Sequence, residues 1–107
     1  MNSVVIVGRA GQDSEIKYYE SGKVKTSFSV AANRWDSKTK AEVTDWFNVD
    51  VWDKQAEFAG EYVKKGRLVA VEGRITVNKW KDVSGEEKER FLIVANNIRL
   101  LGSKNDA

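Results

Sequence analysis

The stretch from Asp45 to Asp53 alternates between apolar and polar side chains. Successive side chains of a β-strand point to opposite faces, so Phe47, Val49 and Val51 are predicted to form one apolar face toward a core. The opposite face would carry two large rings separated by small polar groups, namely Trp46, Asn48, Asp50 and Trp52. The pattern therefore predicts a half-buried strand whose outer face is unusually rich in tryptophan.

Other segments also have the pattern of strands. Val24 to Ala32 alternates, so that Val24, Thr26, Phe28 and Val30 would face the core. Residues 2–8 are apolar at consecutive positions, which predicts a strand covered on both faces, one cover being another subunit. Three further segments are predicted to be extended, and the last of them to bend near residues 96–97: Glu15 to Tyr19, Leu68 to Lys81 and Arg90 to Leu101.

The long predicted strand from Leu68 to Lys81 has two different faces. Its odd positions are small or apolar and would face the core: Val69, Val71, Gly73, Ile75 and Val77. Its even positions from Arg74 onward form a polar face that ends in a tryptophan: Arg74, Thr76, Asn78 and Trp80. This strand is therefore expected to expose Trp80 to solvent on its polar face.

One helix is predicted between the third and fourth of the main strands. Asp53 can cap a helix over residues 54–65 that ends at Gly66. An apolar face would be formed by Ala56, Ala59, Tyr62 and Val63. Residues 33–44 lose periodicity and are predicted to be an exposed loop or a hairpin extension that carries Trp35.

Five strand regions with one helix between strands 3 and 4 predict an all-β fold, the five-stranded Greek-key barrel called the OB-fold. A sandwich or an SH3-like barrel fits the alternation nearly as well, although neither predicts a helix at that position. We expect one domain over residues 1–101, followed by a short disordered end over residues 102–107.

Composition excludes several classes of protein. The chain has 107 residues, 41% of them hydrophobic, which suffices for one core. The absence of cysteine and histidine removes thiolate nucleophiles, the commonest general base and the commonest zinc ligands. No apolar run approaches the roughly 20 residues of a membrane span, and no signal peptide is recognised. We therefore expect a cytoplasmic protein without cofactor, metal or small-molecule substrate.

The four tryptophans all fall on predicted outer faces or in loops: Trp35, Trp46, Trp52 and Trp80. A single tryptophan of this kind more often closes the edge of a core. Four together could expose more apolar area than the few hundred Å² that usually mark a binding site. A binding partner is the better explanation for the set.

Cations are interleaved with these rings along the chain. They lie beside Trp35, after Trp52 and on both sides of Trp80: Arg34, Lys38, Lys54, Lys79 and Lys81. Single-stranded nucleic acid fits both features, because bases stack on indoles while lysine and arginine follow the phosphates. For any one lysine a solvated surface position is the simpler explanation. With a net charge of only +2, salt should weaken binding less than for a strongly basic protein.

Two enzymatic interpretations are weaker. Asp50, Asp53 and Glu72 are the nearest candidates for a metal-dependent nuclease, but their spacing does not resemble a two-metal cluster with a base. The glycines at Gly8, Gly11 and Gly73 lack the lysine and helix of a phosphate-binding loop, and are interpreted as bends in a barrel. No catalytic residue is predicted.

Several short segments together resemble the bacterial single-stranded DNA-binding protein family over nearly the whole chain. They are residues 1–4, Gly8-Arg9, Ser21-Gly22, Ala32-Asn33-Arg34-Trp35, Asp45-Trp46-Phe47, residues 51–57, residues 62–66, Val71-Glu72-Gly73-Arg74 and residues 80–85. Singly these segments are weak evidence, but in this order they are specific.

The resemblance implies an OB-fold that assembles into dimers and usually tetramers, with single-stranded DNA wrapped around the assembly in replication, repair and recombination. The family's stacking aromatics fall at Trp35, Trp46, Trp52 and Trp80, where many members have phenylalanine at the third of these positions. Matching basic positions include Lys17, Lys54, Lys65 and Lys79. We also expect four further cations to contact the DNA backbone, namely Arg34, Lys38, Arg74 and Lys81. The first strand would pair around the dimer axis.

Two features bear on the partners of the protein, namely the end of the chain and the exposed aromatic face. Family members commonly continue into a flexible segment with an acidic tip that recruits replication and repair proteins, whereas this sequence stops at Ala107. Recruitment of such partners is therefore in doubt. The aromatic face could also dock a protein, as in a primosome component, in place of DNA.

Overall fold

The computed structural model describes residues 1–102, and residues 103–107 lie outside the described part. Its elements, in chain order, are β1 (Val4–Ala10), β2 (Glu15–Tyr18), β3 (Val24–Asp36), β4 (Ala41–Trp52), α1 (Lys54–Tyr62), β5 (Leu68–Lys81) and β6 (Glu87–Leu100). The end predicted to be disordered falls almost wholly outside these residues. Within them, no helix has the length and apolar character needed to cross a membrane.

Five of the six strands close into a barrel. The order across the sheet is β1-β5-β6-β4-β3-β2, and β1 also pairs with β3 through Arg9↔Ala31 and Ala10↔Val30. All pairings are antiparallel except β4 with β6, which runs parallel from Val49 to Val51. The short β2 is an added edge strand on β3, so α1 lies between the third and fourth barrel strands. This closed topology confirms the predicted OB-fold.

The core is built mainly from β-branched side chains on the inner faces of the strands. Val24, Thr26, Phe28 and Val30 of β3 are all buried, as the alternation predicted. Val49 and Val51 of β4 are each 1% exposed, and Phe47 packs partly buried against them. Helix α1 adds two fully buried side chains, Ala56 and Ala59, and Val63 directly after it adds a third. The period-2 pattern therefore identified the inner wall of the barrel correctly.

β3 and β4 form one long hairpin. Their pairing runs from Lys25↔Trp52 to Asp36↔Ala41, which decides between the two predicted forms of residues 33–44 in favour of a hairpin extension. The turn is organised by the Asp36 carboxylate, which accepts hydrogen bonds from the Lys38 N–H at 3.0 Å and the Thr39 hydroxyl at 3.2 Å. Trp35 therefore stands on a strand.

β5 and β6 form a second long hairpin, whose far half extends beyond the core. Val69 and Val71 are fully buried, but Ile75 and Val77 are 41% and 43% exposed. The prediction that the odd-numbered face stays in the core as far as Val77 was therefore wrong. Val94 and Ile93, the partners of Arg74 and Ile75, still pair with β4, but beyond them β5 and β6 pair only with each other within residues 1–102. Residues 74–92 are called the β5–β6 arm below.

A bulge marks the point where this arm begins. Glu72 pairs with Asn97 but the next residue, Gly73, pairs with Ala95, so Asn96 has no partner on β5. The predicted bend near residues 96–97 is confirmed. A Cβ at Gly73 would overlap the backbone carbonyl of Val94. Glycine is therefore required here because the two backbones approach each other closely.

The start of α1 differs from the predicted helix cap. Asp53 has φ 60° and makes no side-chain hydrogen bond to the helix, because an N-cap carboxylate needs an extended backbone to reach the first N–H groups. Its carboxylate instead accepts a hydrogen bond from the Val24 N–H at 3.4 Å. The Asp53 N–H also donates to the Val24 carbonyl at 2.7 Å, so Asp53 fixes the helix to β3.

The end and the inner face of α1 also differ from the prediction. The helix ends at Tyr62, since Val63 is already extended with ψ 98°. Tyr62 is 49% exposed, and its ring lies 5.2 Å from that of Phe58, which packs against the core in its place. Thr26 is fully buried, and its hydroxyl donates a hydrogen bond to the Ala56 carbonyl at 2.5 Å. This bond satisfies the polar group that burial removes from water.

β1 is covered on one face only within the single chain. Val4 and Ile6 pack against the core, whereas Val5 and Val7 are 61% and 51% exposed. The side chain of Asn2 continues the β1–β5 ladder, since its amide donates to the Ile75 carbonyl at 2.6 Å and accepts from the Ile75 N–H at 3.0 Å. The apolar outer face of β1 has no cover from this chain.

Candidate nucleic-acid interface

Three of the four tryptophans share one face of the β3–β4 hairpin. In this hairpin, odd-numbered residues of β3 pair with even-numbered residues of β4. The pairs that contain a tryptophan are Lys25↔Trp52, Ala31↔Trp46 and Trp35↔Glu42. Their side chains therefore point away from the barrel interior on a common surface. At about 3.4 Å per residue, Trp46 and Trp52 stand about 20 Å apart along β4.

All four rings are accessible, as the sequence predicted. The exposed fractions are 66% for Trp35, 61% for Trp46, 37% for Trp52 and 47% for Trp80. The inner-face residues beside them on the same strands, such as Val30 and Val51, are buried. The rings thus form a surface that the fold itself does not use for its core.

Trp46 lies against a residue that has no side chain. A Cβ built at Gly11 would overlap the Trp46 ring and would also lie 2.9 Å from the Ser29 hydroxyl. Gly11 is held there by a hydrogen bond from its N–H to the Ser29 carbonyl at 3.0 Å. The glycine predicted as a barrel bend therefore makes room for an aromatic ring.

A second set of aromatic and basic groups surrounds Trp52. The Tyr19 ring stacks on it with a centroid distance of 5.6 Å and an interplanar angle of 27°. The Lys25 ammonium lies 5.8 Å from the Trp52 ring centroid and 3.9 Å from the Asp50 carboxylate. Tyr19 and Lys25 were missed by the sequence reasoning, although Lys25 stands on the outer face of an alternating strand.

A polar groove lies between this hairpin face and the β5–β6 arm. Its volume is about 350 Å³. The walls carry amides, hydroxyls, the two cations Lys25 and Arg90 and the two carboxylates Glu15 and Asp50. The amides and hydroxyls include Gln12, Ser29, Asn48 and Asn78. On the hairpin side the Ser27 hydroxyl donates to the Asp50 carboxylate at 2.7 Å. The groove offers hydrogen-bond donors and acceptors for a polar chain beside the exposed rings.

Trp80 stands on the β5–β6 arm, opposite Lys88 in the strand register. Alternation places Lys79 and Lys81 on the other face of β5, where their cross-strand partners are Glu89 and Glu87. The face of Trp80 instead carries Lys88 and Arg90, which the sequence reasoning did not select, together with Arg74, which it did. The hairpin register was the missing information, since it alone shows which β6 residues lie opposite.

The tip of the arm is held by Asp82. Its carboxylate accepts hydrogen bonds from the Ser84 hydroxyl at 2.7 Å and from the N–H groups of Ser84 and Glu86 at 3.0 Å each. The Ser84 hydroxyl, followed by the Glu86 N–H, lowers the pKa of Asp82 below its ordinary value of 3.8. Hydrogen bonds to the charged form stabilise it, so the turn keeps its shape at neutral pH.

The predicted backbone-contacting cations are all exposed, but they lie in different surroundings: Lys17, Arg34, Lys38, Lys54, Lys65, Arg74, Lys79 and Lys81. Lys17 is near the Trp52 group, with its ammonium 5.1 Å from the Tyr19 ring centroid. Arg34 pairs with the Asp45 carboxylate at 2.7 Å. Lys38 lies in the β3–β4 turn, and Lys65 follows α1.

The carboxylates considered for a nuclease do not come together. Asp50 is engaged with Ser27 and Lys25, Asp53 joins α1 to β3, and Glu72 lies in the β5 ladder. Across residues 1–102, no three acidic side chains are grouped so that they could hold a metal ion. Two-metal hydrolysis therefore has no set of ligands in this part of the chain.

Comparison with known proteins identifies the family of the chain. The family model described as the single-strand binding protein family matches residues 1–101. A single-stranded DNA-binding protein 1 of Synechocystis is 49% identical over 99% of this chain and 88% of the relative. A single-stranded DNA-binding protein of Neisseria meningitidis is 39% identical over 99% of this chain and 63% of the relative.

A solved structure has the same fold. It is described as a Plasmodium falciparum SSB complex with single-stranded DNA, and it superposes with a TM-score of 0.86 at 27% identity, covering 95% of this chain and 96% of the other. The agreement thus extends from local motifs to the whole barrel. The chain belongs to the single-strand binding protein family.

Proposed function

We propose that the protein binds single-stranded DNA without sequence preference and without enzymatic activity, protecting exposed strands during replication, repair and recombination. The observation that carries this proposal is the row of Trp35, Trp46 and Trp52 on one exposed face of the β3–β4 hairpin. Every base has an aromatic face, so stacking on indole rings is tolerant of sequence. Duplex DNA hides those faces and should bind poorly.

The binding path joins both hairpins. Bases stack on four rings, Trp35, Trp46, Trp52 and Trp80. Phosphates are contacted by surface cations along the same path and at its ends, namely Lys17, Arg34, Lys38, Lys54, Lys65, Arg74, Lys79 and Lys81. The polar groove between the β3–β4 face and the β5–β6 arm supplies further hydrogen bonds to the strand. Support for DNA as the ligand comes from the relatives' names and from the DNA complex described above.

The protein further acts as a homo-oligomer, a dimer of dimers. The exposed outer face of β1 supports this, because Val5 and Val7 lie in water at 61% and 51% exposure while their neighbours Val4 and Ile6 reach the core. Covering this face with a second copy would remove apolar surface that the chain cannot bury alone. Residues 1–101 form the DNA-binding domain, a proposal supported by the extent of the family match.

Titration with oligo-dT at low salt tests the DNA-binding proposal. Stacking should quench the tryptophan fluorescence strongly, and a duplex of the same length should leave it nearly unchanged. A protein whose tryptophan emission does not respond to oligo-dT at low salt would contradict the proposal. Quenching produced only by a replication protein would point to the protein-docking alternative.

A further inference from the structure

Tyr19 is fixed in position by the turn that joins β2 to β3. Its N–H donates to the Lys23 carbonyl at 2.9 Å, and its carbonyl accepts from the Gly22 N–H at 3.0 Å. Gly22 has φ +89°, a conformation that favours glycine, and so allows the chain to turn here. The Tyr19 ring is therefore placed on Trp52 by a defined backbone conformation.

Trp52 is the least accessible of the four tryptophans because Tyr19 stacks on it. Its exposed fraction is 37%, against 47% to 66% for the other three. The near-parallel rings at 5.6 Å form an offset stack, the geometry that aromatic pairs prefer. A base that approaches Trp52 therefore meets an offset stack, in which the Tyr19 ring is half-buried.

Cations lie beside both rings of this pair. The strand register sets Lys17, Lys25 and Trp52 side by side across β2, β3 and β4. Lysines directly opposite each other repel. Lys25 is partly neutralised by Asp50 at 3.9 Å, whereas Lys17 takes part in no ion pair within residues 1–102. A phosphate at this row would relieve the repulsion.

We propose that Tyr19 is a further DNA-binding residue, which forms with Trp52 a two-ring platform for one base while Lys17 and Lys25 hold an adjacent phosphate. This inference rests on the proposed function. It adds to that function the Tyr19 ring and the Lys25 ammonium, neither of which is a tryptophan or a sequence neighbour of one. The platform joins the edge strand β2 to the binding path, so the path extends beyond the barrel strands.

Tyr19→Leu tests the platform, with Tyr18→Leu as its matched control. Tyr18 is the neighbouring tyrosine, 67% exposed, and as the last residue of β2 it lies on the face opposite to Lys17. Loss of a stacking ring should weaken oligo-dT binding about 5-fold or more in Tyr19→Leu, whereas Tyr18→Leu should bind like the wild type. Tyr19→Phe keeps the ring and should also bind like the wild type.

Two results would overturn the inference. One is unchanged oligo-dT affinity in Tyr19→Leu when the wild type binds; the other is an equal loss in Tyr18→Leu. A double variant with Trp52→Leu gives an independent check, because rings that act as one platform should lose less together than the product of their separate losses. Failure of the wild type itself to bind oligo-dT would contradict the proposed function and is thereby distinguished from failure of this inference.

Discussion

At the scale of single residues, Trp46 is exposed to solvent but is also packed closely against its neighbours. It is 61% exposed, yet it rests on Gly11 and borders an apolar cavity of about 330 Å³ with Phe47 and Phe91. The ring is therefore held without being buried. A side chain in this position can accept a base while losing little conformational freedom, which favours affinity.

Replacing Trp46 with alanine should weaken oligo-dT binding by about 1 to 3 kcal/mol, because one stacking contact is lost. The midpoint of urea unfolding should change little, since the ring is mostly in water. Fluorescence titration and urea unfolding measure the two effects. Tyr18→Ala removes an exposed ring that the proposed path does not use, and serves as the control. Unfolding of Trp46→Ala would assign that ring to the core.

Two glycines offer a paired test of close contacts. A Cβ at Gly73 meets the Val94 backbone carbonyl, which cannot move, whereas a Cβ at Gly11 meets the edge of a side-chain ring. Gly73→Ala should therefore destabilise the fold by about 2 kcal/mol in urea unfolding. Gly11→Ala should leave stability nearly unchanged but displace Trp46 and weaken oligo-dT binding by about 1 kcal/mol. Equal stability losses in both variants would contradict this distinction.

At the scale of elements, the β5–β6 arm depends on its own hydrogen bonds, since beyond Ile75 its two strands pair only with each other within residues 1–102. Its register is complete from Arg74↔Val94 to Lys81↔Glu87, and Asp82 closes the tip. The arm carries Trp80 and one wall of the groove. Its shape therefore affects the proposed DNA path without contributing much to the core.

The lowered pKa of Asp82 predicts how the tip responds to acid. A depressed pKa in the folded state means that the stabilisation is fully present above 3.8, the ordinary value, and is lost as the pH falls through the folded pKa. NMR titration of the Asp82 carboxyl should show this lowered pKa. Ser84→Ala removes the largest cause and should raise it, while Thr44→Ala, which lies in the other hairpin, should not. An unchanged Asp82 pKa in Ser84→Ala would contradict this account.

At the scale of the whole molecule, the uncovered valines of β1 predict self-association. A variant with both Val5→Glu and Val7→Glu should sediment as a lighter species than the wild type, because two charges cannot be buried at an apolar interface without partners. The retained fold can be verified by far-UV circular dichroism. Val83→Glu, at a fully exposed valine in the arm, should keep the wild-type mass. A wild type that sediments as a monomer would contradict the oligomer proposal.

Much of the fold followed from local pattern. Alternation in β3 and β4 identified which side chains reach the core, because a strand with one buried face must repeat with period two. The position of α1 among the strands indicated the OB-fold. The prediction that the Asp53 side chain caps α1 was wrong because Asp53 has a positive φ, which the sequence pattern did not reveal. The predicted inner face of β5 was wrong at Ile75 and Val77, which are exposed because the hairpin there runs past the buried core.

The sequence by itself determined the family, the barrel and the four tryptophans as surface residues, since these depend on residue type and spacing along one strand. Only the tertiary structure decided which groups share a face across strands. It paired Trp80 with Lys88 and not with its sequence neighbours, set Gly11 beneath Trp46, and brought Tyr19 onto Trp52. Each of these contacts depends on strand register or on a turn, which join residues far apart in the chain and leave no local periodic signal.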